Sequence, residues 1–131
     1  MKRLEVVGAI LVKNEEILCA QRGETKTLAR LWEFPGGKIE AGETARQALV
    51  RELTEELSIE VEVAPTAFLS NEYEYDFAKI HLSTFVCHLK EGVPKLSEHL
   101  EVKWLPIYKL DQLKWAPADI PTVDKLMNQG L

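Results

Sequence analysis

At 131 residues, with 46% hydrophobic and 28% charged residues, the chain is expected to form one soluble globular domain spanning residues 1–131. It has no apolar run near the roughly 20 residues of a membrane-spanning helix, and Met1-Lys2-Arg3-Leu4-Glu5 contains no secretory apolar core, so a cytoplasmic protein with no membrane partner is expected. A net charge of −5 gives no general attraction for nucleic-acid backbone, and any function involving polyphosphate would need cations to offset the chain's own acids.

Residues 6–12 are apolar and rich in β-branched side chains, as in a buried strand. Asn14-Glu15-Glu16 supplies a turn, and residues 17–22 return as a second strand of a hairpin. Residues 23–31 are polar and read as a loop. Trp32-Glu33-Phe34 follows as a short strand ended by Pro35-Gly36-Gly37. A helix over 45–57 is the best-defined element: Thr44 and Gln47 form a capping box, and Ala, Leu, Glu and Arg fill the interior. Residues 66–75 and 79–89 read as antiparallel strands about Asp76-Phe77-Ala78, and 101–105 as another strand. A last helix begins at Pro117 or Ala118 and runs to about Asn128. The order of strands, helix, strands, helix predicts an α+β domain with a mixed sheet between helices.

On a helical wheel, Leu49, Val50, Leu53 and Leu57 form an apolar stripe. Glu52, Glu55 and Glu56 share one face, and Glu56 lies at the edge of the stripe rather than opposite it. Near the core, each ionised pair at about 6 Å costs roughly 3 kcal/mol at an effective dielectric near 20. On a solvated face the cost is only about 0.2–0.5 kcal/mol. Arg51 can pair with Glu55 at i, i+4, but one cation cannot neutralise three acids. Divalent cations bound by oxygen ligands would reverse the repulsion. The helix alone leaves a solvated acidic face and a metal site as equal readings. The preceding Gly36, Gly37 and Gly42 expose backbone to close approach and favour the metal site.

The residues from Gly37-Lys38-Ile39-Glu40-Ala41-Gly42-Glu43 to Arg51-Glu52-Leu53-Thr54-Glu55-Glu56-Leu57-Ser58-Ile59 resemble the Nudix box. In that pattern a Gly and a Glu precede Arg-Glu, an aliphatic, any residue, Glu-Glu, any residue, Gly and an aliphatic. Every charged position matches in type and spacing. Ser58 departs from the pattern by replacing the last glycine, where a left-handed cap suits Gly and strains Ser by about 1–2 kcal/mol. Trp32 to Glu40 is similar to the MutT branch, and Ala116-Pro117-Ala118-Asp119-Ile120-Pro121 to its CTP pyrophosphohydrolase members. The resemblance covers nearly the whole chain and implies the Nudix α/β/α sandwich.

It also implies roles. Glu56, Glu55 and Glu52, with the Gly36 carbonyl, bind the metal, which is Mg²⁺ with Mn²⁺ able to substitute. Glu52 is the candidate general base, and Arg51 and Glu43 orient the acids and the loop. A further acid from outside the box is matched by spacing to Glu98, with Glu101 as the alternative. The substrate site comprises Arg22, Glu33, Phe34, Pro35, Gly36, Gly37 and Asp119. The implied reaction is attack of water at the β-phosphorus of a nucleoside triphosphate, giving monophosphate and pyrophosphate. Either 8-oxo-dGTP or a cytidine triphosphate, including modified ones, fits the resemblance.

Asp119 stands where the MutT type has Asn. An ionised carboxylate only accepts hydrogen bonds, which suits a base presenting N–H groups and disfavours uracil and thymine unless Asp119 is protonated. Tyr73 and Tyr75 are expected on a strand beside the base pocket. His81, His88 and His99 have no metal-ligand spacing and read as ordinary strand or loop residues, and Cys19 and Cys87 as buried thiols in a reducing cytosol. A nucleotide-sugar hydrolase and a non-catalytic nucleotide-binding module are the competing readings. No added domain to grip a second moiety is expected, and no box acid is lost. The oligomeric state is left as monomer or homodimer.

Overall fold

The computed structural model describes residues Met1–Leu131. Strand β1 (Arg3–Lys13) and β2 (Glu16–Gln21) form the expected hairpin. Its turn is only Asn14-Glu15, both with positive φ (50° and 63°), the backbone that matches strand twist in a two-residue loop. Glu16 is therefore a strand residue paired with Lys13, not part of the turn.

β3 (Trp32–Glu33) is followed by β4 (Gly36–Lys38), so the glycine pair does not simply end a strand. It forms one, antiparallel to β1 through Val6↔Lys38, Val7↔Gly37 and Gly8↔Gly36. A Cβ on Gly36 would lie 1.9 Å from the Val7 carbonyl oxygen, so only glycine permits this approach.

Helix α1 (Ala45–Leu57) starts at the Thr44–Gln47 capping box. Its buried stripe is Ala48, Leu49, Leu53 and Leu57, whereas Val50 is exposed. The wheel places Val50 at the margin of the stripe, and the sheet covers the opposite margin. Ser58 caps the helix in the left-handed conformation with φ 57°, as the box glycine would.

β5 (Glu60–Val63), β6 (Leu69–Glu74), β7 (Lys79–Glu91) and β8 (Glu101–Pro106) complete the strands. The sheet has eight strands with the central order β3-β2-β1-β7-β5; β8 pairs with β2 and β6 with β7. β1 and β7 run parallel from Arg3↔Lys79 to Val12↔His88, and the other pairings are antiparallel. A 3₁₀ segment (Ile107–Gln112) and a 3₁₀ turn (Pro117–Asp119) lead into helix α2 (Ile120–Gln129).

Alternation along β1 divides the core. Val7, Ala9 and Leu11 join Leu49, Leu53 and Leu57 of α1 on one face. Ile10 joins Val123 and Leu126 of α2, with Phe34 and Trp115, on the other. The two helices therefore cover opposite faces of a mixed sheet. Both cysteines are free and buried, and burial pushes each thiol up to about 12. No helix is long and apolar enough to cross a membrane.

Candidate active site

A cavity of about 760 Å³ opens at one end of the sheet, within the usual range for small-molecule sites. Glu52, Glu56, Glu98 and His99 line one end of it. Phe34, Tyr75, Ala118 and Asp119 line the other, and Arg22 and Glu33 lie between.

At the acidic end, α1 sets the positions. Glu52 and Glu56 lie one turn apart, with side chains only 15% and 14% exposed. Glu55, at 61%, points to solvent and lines only the smaller acidic hollow beside Glu52, Glu56, Ser97 and Glu98. The expected shared face of three acids is therefore two inward carboxylates and one outward.

Arg51 is the hub of this end. It donates to both oxygens of Glu43 (2.6 and 2.9 Å), to Glu52 Oε1 (2.9 Å), to Glu55 (3.2 Å) and to the Lys38 carbonyl (3.0 Å). Its hydrogen bonds hold the Glu43 carboxyl down at about 2, helped by the Glu40 backbone N–H. Gly37 lies directly against Glu52: a Cβ there would meet the Glu52 carboxyl carbon at 2.5 Å. The helix, the glycine strand and the loop between them are thus tied together through Arg51 and Glu52.

Glu56 has no such partner. Its Oε2 is buried without a hydrogen bond. Burial, then Glu52, then Glu33 and Glu98 push its carboxyl up to about 9. A buried orphan oxygen among other acids is a place for positive charge. No three acidic, His or Cys side chains by themselves enclose an ion.

Residues 92–100 bring in Glu98. The Lys95 N–H donates to the Leu57 carbonyl, Ser97 Oγ to the Glu56 carbonyl (2.7 Å), and the Leu100 N–H to the Gln21 carbonyl. These bonds pin the segment across the end of α1. Glu98 lines the cavity, half exposed and 3.5 Å from Lys26 Nζ. Glu101 lies on β8 beside Lys103 and does not line it.

The same segment buries His99, with only 4% of its side chain exposed. Its Nε2 lies 3.0 Å from Glu33 Oε2 and 4.0 Å from Glu56 Oε2, and its Nδ1 has no partner. The expectation that all three histidines are ordinary is overturned for His99. Its signal in the sequence is adjacency to Glu98, which ligand spacing does not detect.

At the other end, Phe34 stacks on Trp115 with centroids 4.7 Å apart. The Phe34 N–H donates to Asp119 Oδ1 at 3.1 Å, tying β3 to the start of α2. Burial and then Glu33 push the Asp119 carboxyl well above the ordinary carboxylate range. A carboxyl held neutral can donate as well as accept, so Asp119 does not by charge alone exclude uracil or thymine. Tyr75, just beyond β6, donates no bond to Asp119; its hydroxyl oxygen accepts from the Ala118 N–H (2.8 Å). Tyr73 packs on Tyr75. Arg22 is held by the Thr27 carbonyl and hydroxyl and by Glu33 Oε1 (2.7 Å). Pro35 is buried beneath the cavity rather than lining it, its carbonyl accepting from the Ala9 N–H.

Residues 2–126 match the NUDIX domain family. The chain is 42% identical over 127 residues to the CTP pyrophosphohydrolase of Escherichia coli K12, covering 97% of this chain and 93% of that one. It is 38% identical to the 8-oxo-dGTP diphosphatase of the same organism, covering 96% and 98%. The solution structure of a MutT protein from methicillin-resistant Staphylococcus aureus 252 superposes with a TM-score of 0.79 at 47% identity, covering 99% and 100%. The chain belongs to the Nudix hydrolase family. Members of that family generally need a divalent metal, usually Mg²⁺.

Proposed function

We propose that the protein hydrolyses a nucleoside triphosphate to the monophosphate and pyrophosphate, removing unwanted nucleotides from the pool, with 8-oxo-dGTP or a cytidine triphosphate, modified or not, as substrate. The observation that carries this reading is the juxtaposition of two ends in one cavity: the orphan carboxylate of Glu56 beside Glu52 and Glu98, and the Phe34–Asp119 wall opposite. The relatives named as a CTP pyrophosphohydrolase and an 8-oxo-dGTP diphosphatase support it.

Glu52, Glu56 and Glu98, with Glu55 at the solvent side and the Gly36 carbonyl, are the groups to hold Mg²⁺, or Mn²⁺ in its place. The buried, unpartnered Glu56 Oε2 fits that role. The ion supplies positive charge that offsets acids and polyphosphate and polarises phosphoryl oxygens.

The chain's own residues do the rest. Arg51 engages one oxygen of Glu52 and leaves the other free of it, so Glu52 is oriented to take a proton from the attacking water. Glu43 fixes Arg51 from behind with two hydrogen bonds. Gly36 and Gly37 line the cavity, and their missing side chains let β4 pack directly on Val7 and against the Glu52 carboxyl group. Phe34 supplies the apolar surface for the base, while Asp119, Glu33 and Arg22 offer polar groups to its edge.

Incubation with Mg²⁺ and CTP, dCTP, 5-methyl-dCTP, 8-oxo-dGTP, dGTP or dTTP tests the reading. Monophosphate and pyrophosphate are expected from at least one. Release of orthophosphate alone, or no product from any, overturns it.

A further inference from the structure

His99 lines the acidic end of the cavity where that end meets Glu33 and Arg22. Arg22 Nη1 donates to Glu33 Oε1 at 2.7 Å, and the other oxygen of Glu33 lies 3.0 Å from His99 Nε2. A carboxylate only accepts, so His99 donates from Nε2. The neighbouring Glu56 Oε2, at 4.0 Å, is beyond hydrogen-bond reach of that single N–H and has no other partner. Glu33 is thus held from both sides, by Arg22 and by His99, and Glu56 is left open.

The imidazole itself has little freedom. Its side chain is nearly fully buried and Nδ1 meets no donor. The segment carrying it is bonded to the end of α1 through Lys95 and Ser97 and to β2 through Leu100. A rigidly carried donor aimed at one oxygen of one acid, in a cavity wall, is a device for orientation.

We propose that His99 is a positioning residue: it holds Glu33 in register with Arg22, so that the base side of the cavity keeps its polar edge, and it keeps Glu33 off the Glu56 carboxylate. The proposal rests on the reading of Glu33 as a base-side group. Its prediction is a loss in binding of the nucleotide rather than in turnover of the bound complex.

The test uses His99→Leu, which removes the donor at similar volume, and His99→Gln, which keeps an N–H. Each is made alone, and His99→Leu is also combined with Glu33→Gln. Two quantities are measured: kcat and KM for the preferred triphosphate at saturating Mg²⁺, and the Kd of cytidine and guanosine monophosphates in EDTA by calorimetry. In His99→Leu, KM and the Kd of the better-bound monophosphate are expected to rise roughly tenfold or more, the range for losing a hydrogen bond to a charged group. His99→Gln restores both to within about threefold, and His99→Leu adds less than about twofold to Glu33→Gln, because the two changes remove one interaction. Equal behaviour of Leu and Gln, full additivity with Glu33→Gln, or a fall in kcat at constant KM each overturns the proposal. A wild type that releases no pyrophosphate overturns the proposed function instead, and the binding arm in EDTA still decides the role of His99.

Discussion

At the acidic end of the cavity one helical repeat of α1 fixes Glu52 and Glu56, one cation, Arg51, ties Glu52 to the preceding loop, and the 92–100 segment adds Glu98. The rest of the cavity, from its middle to the opposite end, is assembled from pieces far apart in the chain: Arg22 after β2, Glu33 and Phe34 at β3, Tyr75 beyond β6, and Asp119 before α2. The first end is local and strongly charged, so a single change there should act on every substrate alike. The second is composite and mostly buried, so a change there should act unequally from one base to another.

The largest expected effect breaks the acidic end. Glu56→Gln keeps shape and hydrogen-bonding capacity while removing the charge, and kcat for all substrates is expected to fall at least about a hundredfold with the fold intact. Activity within about threefold of wild type at saturating Mg²⁺ would remove Glu56 from the site.

Asp119→Ala breaks the composite end. It leaves the Phe34 N–H without its acceptor and removes one edge of the base site. A loss of about 1–3 kcal/mol, roughly five- to a hundredfold in kcat/KM, is expected for the best substrate and less for poor ones. A uniform drop across CTP, dCTP, 5-methyl-dCTP, 8-oxo-dGTP, dGTP and dTTP would show that Asp119 only holds the Phe34 backbone in place.

The comparison sharpens with pH in the absence of metal. The Glu56 carboxyl, raised from 4.5 to about 9, stabilises the fold fully below its unfolded value and loses that contribution as pH rises towards 9. In EDTA, wild type should therefore lose stability across that window, and Glu56→Gln should not, melting higher than wild type at pH 9 by at least about 4 °C. Added Mg²⁺ should restore wild type alone. Parallel melting curves for the two proteins from pH 5 to 9 would contradict the burial of an unpaired acid.

The smallest effect lies outside both ends. Ser58 holds a left-handed backbone at the end of α1, and Ser58→Gly should stabilise by about 1 kcal/mol with kcat unchanged. A lowered melting temperature would mean that the serine side chain makes up for its backbone.

The difference between the two ends also explains what could be read beforehand. The capping box, the box acids and Arg51 are local patterns, and they appear in the sequence at fixed spacing. That Val50 is exposed and Glu55 turns outward is not legible there, because the wheel gives angles but not how much of the helix the sheet covers. β4 carries no hydrophobic period, since its reason is a backbone approach at Gly36. Glu60–Val63 does alternate, polar then apolar, but four residues directly after a helix give a faint signal for β5. His99 is invisible to spacing arguments because its partner Glu33 and its neighbour Glu56 lie 66 and 43 residues away in the chain. It is the bonds of the 92–100 segment to α1 and β2 that bring them together.

The stack of Phe34 on Trp115 has a thermodynamic meaning for whatever enters the cavity. Trp115 is buried, and its indole N–H donates to the Leu110 carbonyl at 2.7 Å, so the ring that backs Phe34 is itself fixed. The wall against which a base would lie has therefore lost its rotational freedom during folding, not during binding. A ligand meeting a preorganised aromatic surface forgoes the ordering cost of about 0.5–1.5 kcal/mol for an immobilised side chain. Phe34 also cannot swing into the cavity without breaking the stack. Affinity at that end is thus set by how well the base fits a surface already in place.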